Sequence, residues 1–118
     1  MAAALEWYFK IDDVHGDASA PGHQSWIDVH SWSIRPGVQG SAPGRPQYLT
    51  VVMVTGTARA RLVSAMQTKH TFRHAQLHGV GLGGESHGWV GLQVFNIKPG
   101  GRNRKMQLLE EVTFETDR

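Results

Sequence analysis

SWIDVHSWSIRPG, residues 25–37, is rich in Trp, Ile and Val and reads as a β-strand that releases into a Pro-Gly loop. A half-buried strand alternates apolar and polar residues with a period of two. This one changes phase halfway: Ile27 and Val29 share one side, whereas Trp32 and Ile34 fall on the other. Strict alternation is lost when both faces of a strand are dry. Trp89–Ile97, WVGLQVFNI, behaves in the same way, with two faces that are both largely apolar. The two runs predict strands that serve two dry surfaces.

Outward from this stretch, the rest of the chain also reads as strands. Leu5, Trp7, Phe9 and Ile11 alternate with Glu6, Tyr8, Lys10 and Asp12, a period-two pattern for a first strand. The polar connection DDVHGDASAPGHQ follows it. After the quoted strand comes a long loop, Arg35–Gln47, with three prolines and three glycines. Tyr48–Thr55 is a third strand, with Leu49, Val51 and Met53 on one face. TARARLVSAMQT is the one credible helix, with Thr57 as N-cap and Leu62, Ala65 and Met66 as its buried stripe. KHTFRHAQLH returns to strand, KPGGRNRK reads as a hairpin turn after Ile97, and MQLLEEVTFET closes the chain. In that last strand Met106, Leu108, Val112 and Phe114 share a face. The expected fold is mainly β with one short α-helix, a single domain over 1–118.

Composition narrows the function. Of 118 residues, 40% are hydrophobic and 19% charged, which excludes wholesale disorder, and fourteen glycines with five prolines favour strands and turns over long helices. A net charge of +2 is too weak to imply a nucleic-acid partner. There is no cysteine, hence no disulfide and no thiolate chemistry. MAAALEWYFKIDD lacks the basic start and apolar run of a secretory signal. No apolar stretch approaches the roughly 20 residues of a membrane span, so no membrane insertion is expected.

The search for chemistry is equally restrictive. Gly79–Gly84, GVGLGG, matches the dinucleotide fingerprint, yet the β-type run at Trp89 follows where that motif needs a helix, so it reads as a hairpin turn. His70, His74 and His78 are four apart, a metal spacing on a helix; on a strand such residues lie about 13 Å apart, too far to share an ion. The carboxylates Asp12, Asp13, Asp28, Glu110 and Glu111 show no acid–base spacing, and no G-x-S-x-G elbow exists. No catalytic residue, metal ligand or cofactor is assigned, and Asp28 is expected to be hydrogen-bonded or at a wet interface. GRNRK and RAR lack the interleaved aromatics of single-strand nucleic-acid binders.

Several phrases resemble the Hcp (haemolysin-coregulated protein) family, the inner-tube subunit of the bacterial type VI secretion system. YFKIDDVHGDA resembles its opening strand, and HQSWIDVHSWSI its second, I-x-V-x-S-W-S-W, with Ile34 in place of the last tryptophan. LVSAMQTKHTFRHAQLH is similar to the helix and the A-x-L strand after it, and LLEEVTFE to the closing strand, which family members continue further. The resemblance implies a small antiparallel β-barrel, six copies of which form a ring. Rings would stack into a tube that a contractile sheath propels and whose lumen carries effectors. Partners would be the chain itself, sheath, spike and effector proteins. The location would be the bacterial cytoplasm before firing, then the exterior, without a cleavable signal peptide.

Head-to-tail contacts close into rings when the rotation allows. On that basis Trp26, Asp28, Trp32, Ile34 and Trp89 are expected at a subunit interface, and Arg35, Gly37, Gly40, Gly44 and Arg45 in a loop that stacks rings. The competing readings are a tail-tube subunit of a phage or related particle, a monomeric β-barrel binding module, and last a metal-dependent enzyme built on the three histidines.

Overall fold

The computed structural model describes residues 6–36, 47–81 and 83–116. The strands are β1 (Glu6–Ile11), β2 (Ile27–Pro36), β3 (Gln47–Met53), β4 (Thr71–Val80), β5 (Glu85–Arg102) and β6 (Leu108–Thr116). One helix, α1 (Arg59–Thr68), follows a single 3-10 turn at Gly56–Ala58. All pairs are antiparallel, and the order β1-β2-β3-β6-β5-β4 closes on itself as a barrel. The fold class is the expected one. The last strand seals the barrel, since β6 pairs with β3 from Glu110 to Thr116 and with β5 from Leu108 to Thr116.

The core fills the barrel. Phe9, Phe72 and Phe114 lie at its centre with Ile11, Ile27, Leu49, Val51, Met53, Leu77, Leu92 and Val112, all essentially inaccessible. Each such side chain contributes about 1.5–3 kcal/mol of transfer free energy. Phe9 and Phe114 meet at 5.6 Å between ring centroids. Helix α1 closes over β5 with Leu62 and Ala65 buried and Met66 partly covered.

The phase change in β2 has a local cause. The β2–β3 register slips by one residue between Val29 and Ser31, a β-bulge at His30. Val29 pairs with Met53, and Trp32 and Ile34 pair with Val51 and Leu49, all three of them core residues. Trp32 and Ile34 therefore point to the same inner side as Ile27 and Val29, contrary to the two-surface expectation. In β5 a second bulge, between Val94 and Asn96, turns Phe95 outward and keeps both Val94 and Ile97 inside. Gly91, at φ 67°, lies where the β4–β5 ladder lacks a pair opposite Arg73. A side chain rarely tolerates that conformation, and the twist there brings both Trp89 and Leu92 onto the core.

Three further expectations change. Strand β5 does not end at Ile97 but continues through Pro99 to Arg102, and the hairpin turn is Asn103–Gln107, whose Asn103 Oδ1 accepts from Lys105 N and Gln107 N at 2.9 Å. Met106 and Leu108 are 66% and 64% exposed: Met106 lies in the turn, and an irregularity of the β5–β6 ladder between Pro99 and Arg102 goes with the inward placement of Leu109, 3% exposed, in place of Leu108. Thr57 is not the N-cap of α1: Ala58 is, without a side-chain cap bond. The capping oxygen comes from far away, with Thr57 N donating to Asp17 Oδ2 at 3.0 Å.

Candidate functional site

With the barrel interior filled, function falls to its surface and its ends. One end carries an aromatic layer on the inner face. Trp7 and Trp32 meet edge-to-face at 5.4 Å, Trp32 lies 6.2 Å from Trp89, and His87 sits 4.8 Å from Trp32. The imidazole of His87 is anchored by Glu85 Oε1 at 3.0 Å from Nε2. Ile34 belongs to this inner face as well and remains 40% exposed.

At the other end, Glu110 accepts from Thr55 Oγ1 and, at 3.0 Å, from Arg59 Nε. This cluster borders a groove of about 760 Å³ that runs along Thr55–Gly56 to Arg102, Met106 and Leu108. The apolar ends of Met106 and Leu108 and the positive charges of Arg59 and Arg102 face the same space.

A second groove, about 480 Å³, lies on the outer wall between Glu6, Tyr8 and Asp28 on one side and Asn103, Arg104 and Lys105 on the other. Asp28 points outward, paired with Tyr8 across β1–β2. Partial burial raises its carboxyl above the ordinary value; Lys105 opposes this, and Asp17 and Glu6 add to it. The Tyr8 phenol, buried and bonded to Glu6 Oε1 at 3.1 Å, is raised too.

The residues named for a subunit interface do not form one surface: Trp32, Ile34 and Trp89 share the inner face, whereas Trp26 and Asp28 lie on the outer side. Trp32 and Trp89 sit inside the barrel wall, and Trp26 is buried outside it, beneath the β1–β2 connection with Tyr8 and Ala18. Their burial needs no second subunit. Asp28 and Ile34 keep accessible surface, and Arg35 is exposed near the end of β2. Gly37, Gly40, Gly44 and Arg45 lie outside the described residues.

His70, His74 and His78 diverge. His70 packs edge-on to Phe72, His74 approaches Asp12 at 3.4 Å, and His78 bonds His23. Among the described residues no group of three metal-ligating side chains converges. Val80 to Glu85 is a hairpin connection, closed by Gly84 N donating to Gly81 O at 3.1 Å. Sequence reasoning gives this strand a second apolar face but does not single out its outward residues Val90 (50% exposed) and Phe95 (61%). The signal for Phe95 was present as the three-residue step from Val94 to Ile97, both inward-facing.

Against known proteins, the model of a family described as type VI secretion system effector, Hcp, matches residues 8–115. In architecture the chain is similar to Hcp1 from Salmonella typhimurium, with a TM-score of 0.77 at 18% identity over 97% of this chain and 83% of that one. It is similar also to Hcp2 from the same organism, with a TM-score of 0.69 at 16% identity over 92% of this chain and 78% of that one. A type VI secretion system effector from Yersinia pestis gives a TM-score of 0.68 at 14% identity, covering 93% and 82%. No match was found among curated protein sequences. At such identities the structural likeness speaks for the fold, and the family match, which spans nearly the whole chain, speaks for descent. The chain belongs to the Hcp family, the tube-type proteins of the type VI secretion system.

Proposed function

We propose that this chain is a structural, non-catalytic subunit of the secretion tube, in which six copies form a ring and rings stack into a tube that carries effectors. The observation that carries the reading is Phe95. A bulge in β5 turns this large apolar side chain out of a barrel whose core is already filled, and leaves it 61% exposed beside Tyr48 at 5.3 Å. Contiguous apolar patches rimmed by polar groups mark interaction surfaces, and Phe95 forms such a patch with Tyr48 and Met66. Here Gln93, Glu115 and Lys69 provide the rim. Ile34 and Asp28 are the accessible members of the interface set and take part at the boundary. Trp26, Trp32 and Trp89 support it from behind.

Arg35 and the loop that follows it would link one ring to the next, with Arg35 and Arg45 meeting acidic groups across the stack. The sheath and spike contact the finished tube rather than the single chain. Residence in the bacterial cytoplasm before firing and delivery outside without a cleavable signal complete the reading, and no helix among the described residues is long and apolar enough to cross a membrane.

Light scattering and negative-stain microscopy of the purified protein test this. The expected species is a ring of six times the 13.0 kDa chain, and Phe95→Asp should yield mostly smaller species with unchanged circular dichroism. A wild-type protein that stays monomeric at high concentration would refute the ring and favour a monomeric binding module. Removing 37–44 should leave rings but no tubes.

A further inference from the structure

We propose that the β1–β2 connection, Asp12–Trp26, is a pH-sensitive flap: it is closed over β1 and β4 while the His23–His78 bond stands, and released when both imidazoles are protonated. The inference is independent of ring formation, because every contact it uses lies within one chain.

The flap has its own hydrogen-bonded frame. Gly16 N donates to Ser25 O at 2.8 Å, Ala18 N to Trp26 O at 2.9 Å and Ser25 N to Ala18 O at 3.0 Å, and its tip is closed by His23 N donating to Ala20 O at 2.9 Å. It covers the outer wall through a small cluster separate from the barrel core, Tyr8, Ala18 and Trp26. Gly16 is required at its root, where a Cβ would overlap the Trp26 carbonyl and lie 2.7 Å from Ile27 Cγ1. The tip is held by aromatic side chains. The His23 ring stacks on Tyr8 at 4.9 Å, and Trp26 lies 4.6 Å from both imidazoles.

The latch is the contact of His23 Nε2 with His78 Nδ1 at 3.1 Å. Such a bond needs one nitrogen carrying hydrogen and the other offering a lone pair, so at least one ring must be neutral. When both rings are imidazolium, both nitrogens carry hydrogen and two like charges face each other at contact distance. The surroundings do little to absorb that charge. From β1, Lys10 Nζ lies 5.9 Å over the Trp26 ring and adds positive charge, and Tyr8 is held by Glu6. Opposite His78 on β5 is the uncharged Ser86, and Glu85 is engaged by His87. From β2 comes Asp28, opposite Tyr8, and Asp13 and His15 of the flap line the groove beside Trp26.

Burial, and then the neighbouring His23, hold the His78 imidazole below its ordinary value. The folded chain thus takes up this proton less readily than the unfolded one. The contribution to stability is complete above the ordinary imidazole pKa of about 6.5 and is lost as the pH falls from there toward the folded value. Opening has a second effect. The flap carries Asp17, the carboxylate that accepts from Thr57 N ahead of α1, so release at the histidines also loosens the helix entry.

Amide hydrogen exchange on the full chain, in the presence of a chelator and corrected for intrinsic rates, tests the flap. The probes are the amides of Gly16, Ala18 and Ser25, with Leu49 and Val51 of β3 as core controls. Between about pH 7.5 and about pH 5, across the imidazole range, flap protection should fall by tenfold or more while the β3 amides hold. In His78→Phe, which keeps an aromatic ring but carries no charge, the pH dependence of the flap amides should vanish, and in His23→Phe, where only the burial of His78 remains, it should shrink. Flap protection that is flat with pH in the wild type, or a fall in either variant as large as that of the wild type, overturns the proposal.

Discussion

Deleting His30 separates a bulge from a second dry surface as the cause of the phase change in β2. His30 is exposed and lies beyond the last residue of β2 that β1 pairs, Val29, so its removal empties no buried site. In the shortened strand Val29 still faces Met53, Ser31 still faces Val52, and Trp32 still faces Val51 with Ile34 opposite Leu49. Only the extra twist that a bulge supplies is lost, which places the expected cost at about 1 kcal/mol. The contrasting variant is Trp32→Ala. It removes a ring that contacts Trp7, His87 and Trp89, and truncating a core aromatic costs about 3–5 kcal/mol, the lower end applying here because Trp32 is only partly buried. For a domain of this size 1 kcal/mol corresponds to a Tm shift of about 4 °C. Thermal unfolding followed by circular dichroism should therefore show the His30 deletion within about 5 °C of wild type and Trp32→Ala lower by about 12 °C or more. If the deletion costs as much as the tryptophan, His30 is not a removable insertion and the inner placement of Trp32 is wrong.

Two other outcomes follow from the flap and its contacts. Gly16→Ala should lower the urea midpoint by an amount equivalent to about 1–3 kcal/mol, because the added methyl overlaps the Trp26 carbonyl and its neighbours; an unchanged midpoint would show that the flap root is not packed as described. Asp17→Ala should cost about 1 kcal/mol or less at neutral pH, since it removes an exposed capping acceptor. The bonds from Thr57 lower the Asp17 pKa, so this contribution is present above the ordinary carboxylate range and disappears as the pH falls through the folded value. Urea curves of wild type and variant should therefore converge in acid, and a constant gap would exclude the carboxylate as the cause.

Most of the architecture was legible in residue order. The β1 alternation, the buried face Leu49–Val51–Met53 and the short helix are written in local periodicity, and the structure keeps them. What was misread has a common form. Val29 to Trp32, Phe72 to Ala75, Trp89 to Leu92 and Val94 to Ile97 are each inward-facing pairs three residues apart. A step of three within a strand is the trace of a bulge or a local twist, and in β2 and β5 local periodicity alone makes it look like a second greasy face. Pro99 and Gly100 read as a turn because nothing local reveals that β6 continues to pair beyond them. The flap was illegible for a different reason. The His23–His78 contact joins residues 55 apart and the Asp17–Thr57 bond residues 40 apart, and no periodicity encodes such partners.

The bulges of β5 matter beyond the direction of side chains. Strand β4 pairs with β5 only up to Gln93, so from Val94 to Arg102 one margin of β5 has no strand beside it among the described residues. A bare margin of this kind is a template on which any extended chain can add itself, and it invites uncontrolled aggregation. Here the template is broken at Phe95 by one irregularity, between Pro99 and Arg102 by another, and at Pro99 by the lack of an N–H to offer. These interruptions shorten the length that could recruit a stray strand. Along this margin, association is left to surfaces whose side chains match.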